Sequence, residues 1–325
     1  MSTTVAVYDT KPYDREYLVR SAGRDAIEWR FLDYRLGPDT VHAARGAAAV
    51  CVFVNDDASR DVLQGLAKLG VRLLALRCTG FNRVDVPAAR ELELSVTRVP
   101  NYSPYSVAEH TIALILALNR RLHRAFNRVR ELNFSLTGLE GFDLHGRTAS
   151  VFGTGKIGRV VAEILRGFGM RVLAYDPFPS DDWAERIGVI YAEPKTLASK
   201  ADVLTLHIPL TPETRHLVRR ETIALMKPGA ILVNVSRGQL IDTAALIEAL
   251  KGRRLGGVAL DGRSAPERVA AFNREMAARE PGQRVILRFA PQQETSPARA
   301  ACQAAGENAR CSVTITLARM SLGDF

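Results

Sequence analysis

The order of apolar and amphipathic stretches predicts an α/β protein of two domains, each a parallel sheet with helices on both faces. Three observations carry that expectation. Residues 148–176, TASVFGTGKIGRVVAEILRGFGMRVLAYD, read as a strand, a glycine turn, an apolar-periodic helix and a second strand ending at Asp176. Upstream, apolar runs at 4–8, 48–54 and 71–76 alternate with helical stretches such as 58–69, a unit of about 100 residues without a glycine fingerprint. Downstream, runs at 203–206, 229–235 and 257–260 raise the second unit to at least five strands.

In the central stretch Gly153, Gly155 and Gly158 have the G-x-G-x-x-G spacing. One glycine permits a tight turn, one lets backbone N–H groups approach a pyrophosphate, and one lets helix and strand pack closely. The helix expected from Ile157 would aim its unsatisfied N–H groups and positive dipole end at those phosphates. Asp176 follows Gly158 by 18 residues, where a carboxylate accepts hydrogen bonds from a ribose diol and repels a 2'-phosphate. Glycine triplets also occur in merely structural turns. The two flanking strands and the acid at this distance favour a dinucleotide, and NAD over NADP.

Composition sets the frame. A chain of 325 residues, 47% hydrophobic and 24% charged, is long enough for two cores. No apolar run reaches the ~20 residues that span a bilayer, and the N-terminus lacks a basic-then-apolar signal pattern, so a cytoplasmic protein without membrane contact is expected. Cys51, Cys78, Cys302 and Cys311 lack zinc spacing and read as reduced thiols, with no metal site. The net charge of +9 raises the question of nucleic acid, chiefly at Arg120, Arg121, Arg124, Arg128 and Arg130. That segment has Phe126 as its one aromatic, and a solvated or subunit-facing helix is the preferred reading.

Along the first domain, two strands end in loops of chemical interest, FVNDD at 53–57 and RCTGFNRVD at 77–85. Thr79 and Gly80 sit just past a strand's carboxyl end, where backbone amides could hold a carboxylate, or where Gly80 simply makes a turn. VPNYSPYSVAEHT then leads into a long buried helix that reads as a domain crossover. Tyr102 could lend its hydroxyl to a substrate or only pack, and His110 reads as structural. In the second domain, His207 and Pro209 follow the strand at 203–206. Arg237 stands at the carboxyl end of the strand at 229–235, where a guanidinium can grip a carboxylate bidentately and polarise the neighbouring carbonyl. Asp242 is placed to cap a helix through Leu250, and Asp261 ends the last apolar run.

These loops together resemble the D-specific 2-hydroxyacid dehydrogenase family, most closely its D-lactate dehydrogenase branch. The matching segments include FVNDD, LRCTGFNRVDV, VPNYSPYSVAEHT, GTGKIGR, LHIPLTPETRHL, ALMKPGAILVNVSRGQLIDT and GGVALD, and span residues 1–261 almost continuously. The resemblance implies a Rossmann-type NAD domain, residues 102–295, inserted into a flavodoxin-like substrate domain, residues 1–101 plus about 296–325. It implies hydride transfer between NADH and a small 2-oxo acid such as pyruvate, and a homodimer formed through the NAD domain. By motif position Arg237 would hold the substrate, Thr79 and Gly80 its carboxylate, and Tyr102 would cover it. Gly153, Gly155, Lys156, Ile157, Gly158, Asp176, His207, Pro209, Thr214, Ser236 and Asp261 would line the NAD site.

After Asp261 the pattern stops. The family continues Val-Tyr-Glu-x-Glu, whose last glutamate partners a catalytic histidine; here GRSAPER puts Pro266 at that position, with Glu267 one residue late. The family's histidine turn is matched by Pro291-Gln292-Gln293, so Gln292 stands in the histidine's place, and no histidine follows His216. A glutamine amide exchanges no proton near neutral pH, which forfeits typically ~10²- to 10⁴-fold in rate. From Gly262 onward there are 9 arginines and 13 alanines but no lysine, tyrosine or histidine. Such a break is expected of a shifted reading frame in GC-rich DNA and of divergence alike. Two functional readings follow: a dehydrogenase lacking its proton-transfer pair, or an NAD(H)-binding protein that does no chemistry.

Overall fold

A computed structural model describes residues 2–22, 27–100 and 102–261, and the backbone of a short strand at Ile286–Leu287. The described residues form two compact units that part between Tyr102 and Ser103. Pro266, Glu267, Gln292 and the expected return of the chain near residue 296 lie outside the described residues.

The first unit runs β1 (Thr3–Val7), α1 (Pro12–Ala22), β2 (Ile27–Phe31), β3 (Ala49–Val52), α2 (Arg60–Lys68), β4 (Leu73–Leu76), α3 (Val86–Glu91) and β5 (Ser95–Arg98). Its strands pair in parallel in the order β2-β1-β3-β4-β5, the flavodoxin-like order. Val50, Val52, Leu74 and Leu76 pack with Val62, Leu63 and Leu66 of α2 in one core. Parallel strands buried in this way must be apolar along their length, which is why they show as unbroken hydrophobic runs.

The second unit begins with α4 (Pro104–Asn119) and α5 (Leu122–Arg130), then β6 (Thr148–Phe152), α6 (Lys156–Gly167), β7 (Arg171–Tyr175), α7 (Asp181–Ile187) and β8 (Val189–Tyr191). It continues with α8 (Pro194–Lys200), β9 (Val203–Leu206), α9 (Arg220–Leu225), β10 (Ile231–Asn234), α10 (Thr243–Lys251), β11 (Gly257–Leu260) and β12 (Ile286–Leu287). Seven parallel strands lie in the order β12-β11-β10-β9-β6-β7-β8. The two faces of this sheet have separate cores. Ala149, Val151, Val203, Ile231 and Val233 meet α4 and α6 through Leu114, Ile115, Leu118, Val161 and Leu165. Phe152, Leu204, Leu206, Leu232 and Leu260 meet α8, α9 and α10 through Leu197, Ile223 and Leu246. The period-2 alternation within each strand sorts the side chains to these two faces. Pro104 opens α4 with Ser103 as its cap, so the crossover helix belongs to the second unit, where it packs on the sheet.

Candidate functional site

The glycine turn follows β6 where the strand order reverses between β6 and β9, the place at which open α/β sheets present ligands. The three glycines divide the work. Gly153 takes φ +92, and a Cβ there would sit 2.6 Å from the His207 carbonyl oxygen and 2.8 Å from Ile208 Cγ2. At Gly158 a Cβ would strike the Gly153 carbonyl oxygen, so only glycine lets α6 start this close to the turn. Gly155 caps α6 with φ −68 and ψ −170, and a Cβ would meet nothing within 4 Å. Its open side adjoins the first amides of α6, the kind of cradle a pyrophosphate needs.

Asp176, half-buried just past β7, is tied into this turn. Its Oδ2 accepts from the Thr154 backbone N–H (2.6 Å) and the Thr154 hydroxyl (3.1 Å), while Oδ1 accepts from the Phe178 N–H (2.9 Å). A carboxylate offers about four lone-pair sites, so capacity remains for a ribose hydroxyl. Thr154 is held in turn: its hydroxyl lies 2.8 Å from the Tyr191 hydroxyl, and its carbonyl accepts from Arg159 Nε at 2.9 Å. Tyr191 also accepts from the Ser180 N–H, at 3.2 Å. The carboxylate therefore fixes the turn.

His207 leaves β9 beside the turn. Its Nε2 pairs with the Thr205 hydroxyl at 2.9 Å, while Nδ1 is buried with no hydrogen-bond partner among the described residues. Burial pushes its pKa down to about 3, which favours the neutral ring at ordinary pH. The orphaned Nδ1, the open side of Gly155 and the capped carboxylate all fit a bound dinucleotide. Lys156 is exposed at the first position of α6. Ile157, in the first turn of α6, packs its side chain against the core. Pro209 is exposed, its carbonyl braced by the Thr214 hydroxyl at 2.8 Å.

Arg237 follows β10, half-buried and at the start of a single 3₁₀ turn, Gly238–Leu240. Ser236 donates its hydroxyl to the Leu206 carbonyl at 2.9 Å, which ties the loop after β10 to the end of β9. Asp261, 3% exposed, donates its backbone N–H to the Asn234 carbonyl at 3.1 Å.

In the first unit Thr79 and Gly80 lie just past β4. The Thr79 carbonyl accepts from Arg98 Nη1 (2.9 Å), and Cys78 Sγ donates to the Gly80 carbonyl (3.3 Å). The Thr79 hydroxyl is buried with no hydrogen-bond partner among the described residues. Beneath this turn Arg77 is the organising side chain. Its Nη2 donates to the carbonyls of Tyr8 (2.7 Å) and Asp9 (2.8 Å), its Nε pairs with Asp14 (3.2 Å), and its guanidinium lies 5.1 Å from the Phe53 ring centre. One cation thus joins the loops after β1, β3 and β4. Tyr102 is 48% exposed at the end of the unit. His110, half-buried on α4, has its pKa lowered by burial, in keeping with a structural role.

The arginine-rich segment is mostly occupied. Arg128 Nη1 donates to the Ser135 and Thr137 carbonyls (2.9 and 2.8 Å), Arg124 to the Gly138 carbonyl (3.3 Å), and Arg120 pairs with Asp143 (3.3 Å). These bonds tie residues 135–143 to α5 and the end of α4, and they weigh against a row of cations waiting for phosphates. Leu122, Phe126, Val129, Leu132, Phe134 and Leu136 of the same region are each more than half exposed. No helix among the described residues is long and apolar enough to cross a membrane.

A doubly wound sheet with a glycine turn and a capped acid at its switch point defines an NAD-binding α/β protein. The family model described as D-isomer specific 2-hydroxyacid dehydrogenase, NAD binding domain, matches residues 112–274. The chain is 52% identical over 257 residues to a D-lactate dehydrogenase of Escherichia coli K12, covering 79% of this chain and 78% of that protein. Among solved structures, the apo D-lactate dehydrogenase of Escherichia coli superposes with a TM-score of 0.75, over 80% of this chain and 82% of that one, at 52% identity. D-lactate dehydrogenase from Aquifex aeolicus, complexed with NAD and lactic acid, has a TM-score of 0.75 at 30% identity, covering 87% of both chains. The chain belongs to the D-isomer specific 2-hydroxyacid dehydrogenase family, and NAD is its cofactor.

Sequence reasoning missed Thr154 with Tyr191, Asn234 and Arg77. An x inside G-x-G and a tyrosine 15 residues beyond Asp176 have no spacing rule to mark them. An arginine two residues before Thr79 was visible, but its partners come from the loop after β1 and from α1.

Proposed function

We propose that this chain binds NADH and a small 2-oxo acid such as pyruvate, and that it reduces the acid slowly or not at all. The observation that carries the reading is the glycine turn, in which Gly155 alone is open while Gly153 and Gly158 are closed by backbone. When bound, NADH supplies a hydride to C2 of the 2-oxo acid. The amides of α6 would hold the pyrophosphate, Asp176 the adenosine ribose, and Pro209, Thr214, Ser236 and Asp261 the rest of the cofactor site. Arg237 would grip the substrate carboxylate and polarise its carbonyl, and by motif position the Thr79 and Gly80 amides and the Tyr102 hydroxyl of the first unit are further candidate substrate contacts. The alkoxide formed at C2 then needs a proton. With Pro266 and Gln292 at the glutamate and histidine positions and His207 neutral, no described group delivers it. The name of the Escherichia coli relative supports lactate and pyruvate as the substrate pair.

The exposed apolar residues from Leu122 to Leu136 support a homodimer formed through the second unit, since so many exposed apolar side chains in one segment favour a partner. The absence of a membrane-spanning helix among the described residues and the kinship with dehydrogenases support a cytoplasmic location. A second reading, NAD(H) binding without chemistry, is favoured by Gln292.

Titration of the purified chain with NADH and NADPH, followed by cofactor fluorescence, tests the first step. NADH should bind at least about tenfold more tightly, because Asp176 repels a 2'-phosphate. Equal affinities would remove Asp176 from its role, and no binding of either would end both readings.

A further inference from the structure

Substrate binding in the proposed function rests on Arg237, whose guanidinium donates from Nη1 to the Ser236 carbonyl at 3.2 Å. Asn234 is the last residue of β10, fully buried, between Leu206 of β9 and Leu260 of β11. Its side chain closes on the loop ahead of it from both ends. Oδ1 accepts from the Ser236 N–H at 2.9 Å, and Nδ2 donates to the Arg237 carbonyl at 2.8 Å. The Arg237 carbonyl takes a second bond from the Leu240 N–H at 3.1 Å, which starts the 3₁₀ turn. With the Ser236 hydroxyl fixed to Leu206, the backbone on both sides of the Arg237 Cα is held by bonds that begin at Asn234 or at β9.

We propose that Asn234 is a positioning residue for the Arg237 guanidinium, its carboxamide clasping Ser236 and Arg237 so that a 2-oxo acid carboxylate meets a cation of fixed direction. The chemistry of the clasp is specific to asparagine. An acceptor must reach two residues ahead and a donor three, from one planar group. Aspartate supplies the acceptor only and sets a negative oxygen against the Arg237 carbonyl; glutamine is one methylene too long. A buried polar group left without its partner disturbs the loop rather than the sheet.

This inference depends on Arg237 holding the substrate carboxylate, so the test separates the two claims and needs no turnover. Oxamate, a pyruvate isostere that is not reduced, is titrated against the full chain saturated with NADH, and NADH affinity is measured for each variant. Arg237→Met should weaken oxamate at least about 100-fold, as expected for loss of a bidentate charged contact. Asn234→Ala should weaken it about tenfold while NADH affinity stays within about twofold. Asn234→Asp should weaken it similarly near pH 8 and recover, relative to the wild type at the same pH, towards about pH 5. Protonation of the new carboxyl restores an O–H donor to the Arg237 carbonyl. A purely structural role for Asn234 would move NADH affinity in step and would show no such recovery. If Arg237→Met loses oxamate while both Asn234 variants bind it as the wild type does, the clasp is not a positioning device and the inference falls alone. If Asn234→Ala loses NADH in the same proportion as oxamate, the inference also falls. If the wild type binds NADH but no oxamate, or Arg237→Met binds it unchanged, the assignment of Arg237 fails and takes the inference with it.

Discussion

Substituting alanine at Gly158 and at Gly155 should produce opposite failures, although the same methyl group is added three residues apart. At Gly158 the new Cβ would collide with the Gly153 carbonyl oxygen and sit 2.9 Å from its carbon. Neither can retreat, because the Gly153 turn is itself closed by the His207 carbonyl. Overpacking of this kind costs about 1–3 kcal/mol, and the value here should lie at the upper end. At about 2–4 °C per kcal/mol for a unit of this size, the melting temperature should fall by roughly 6–12 °C. At Gly155 the dihedrals suit any residue and nothing lies within 4 Å, so the fold should be indifferent and melting should shift by no more than about 1 °C. The methyl group would instead occupy the approach to the α6 amides. Losing one or two charge-assisted hydrogen bonds should weaken NADH about 10- to 100-fold. Thermal unfolding with and without NADH, together with a fluorescence titration, reads both quantities. A Gly155→Ala protein with wild-type NADH affinity would refute the assignment of the open glycine to the pyrophosphate, and a Gly158→Ala protein with unchanged melting would refute the packing argument.

Thr154→Val removes one hydrogen bond to the Asp176 carboxylate and leaves the Tyr191 hydroxyl with the Ser180 N–H alone; NADH affinity measured by titration should drop about three- to tenfold. Breaking the pair of Arg77 and Asp14, whose side chains are 13% and 12% exposed, strands a buried charge, and Arg77→Met should destabilise the first unit by about 3–5 kcal/mol in urea unfolding. Burial, with Arg124 and Arg121 adding to it, holds His123 at a pKa of about 4, below the ordinary histidine value. The unfolded chain therefore binds a proton that the folded chain does not, and this contribution is fully present above about pH 6.5 and is lost as pH falls towards 4. His123→Leu should flatten that slope, by up to about 3 kcal/mol across the window, in urea unfolding at stepped pH. Phe126→Glu should shift a dimer to monomer in light scattering, while NADH binding is retained.

Parallel strands buried on both faces advertise themselves as apolar runs, so β3, β4, β6, β9, β10 and β11 were readable within a residue or two. The edge strands of the first sheet were not. IEWRF in β2 alternates and SVTR in β5 is mostly polar, because an edge has less to bury. The glycine roles followed from spacing, since each is a local steric demand. What spacing cannot reveal is a bond whose other end lies on a distant strand. Asp176 was expected to face a ribose, and its second duty to Thr154 depends on how closely β7 lies beside β6. Arg237 was legible as a guanidinium at a strand end, whereas Asn234 read only as the polar end of a strand. The mismatch at Pro266 and Gln292 is a matter of sequence alone and falls outside the described residues.

The most direct measurement of the central claim is pyruvate-dependent oxidation of NADH by the purified chain, with NADH binding established in the same preparation. The account predicts a saturable NADH complex and turnover well below 1 s⁻¹, since ~10²- to 10⁴-fold is lost with the acid from an ordinary rate of about 10 s⁻¹. Turnover at or above about 10 s⁻¹ would contradict it, and would mean that another group donates the proton to the alkoxide.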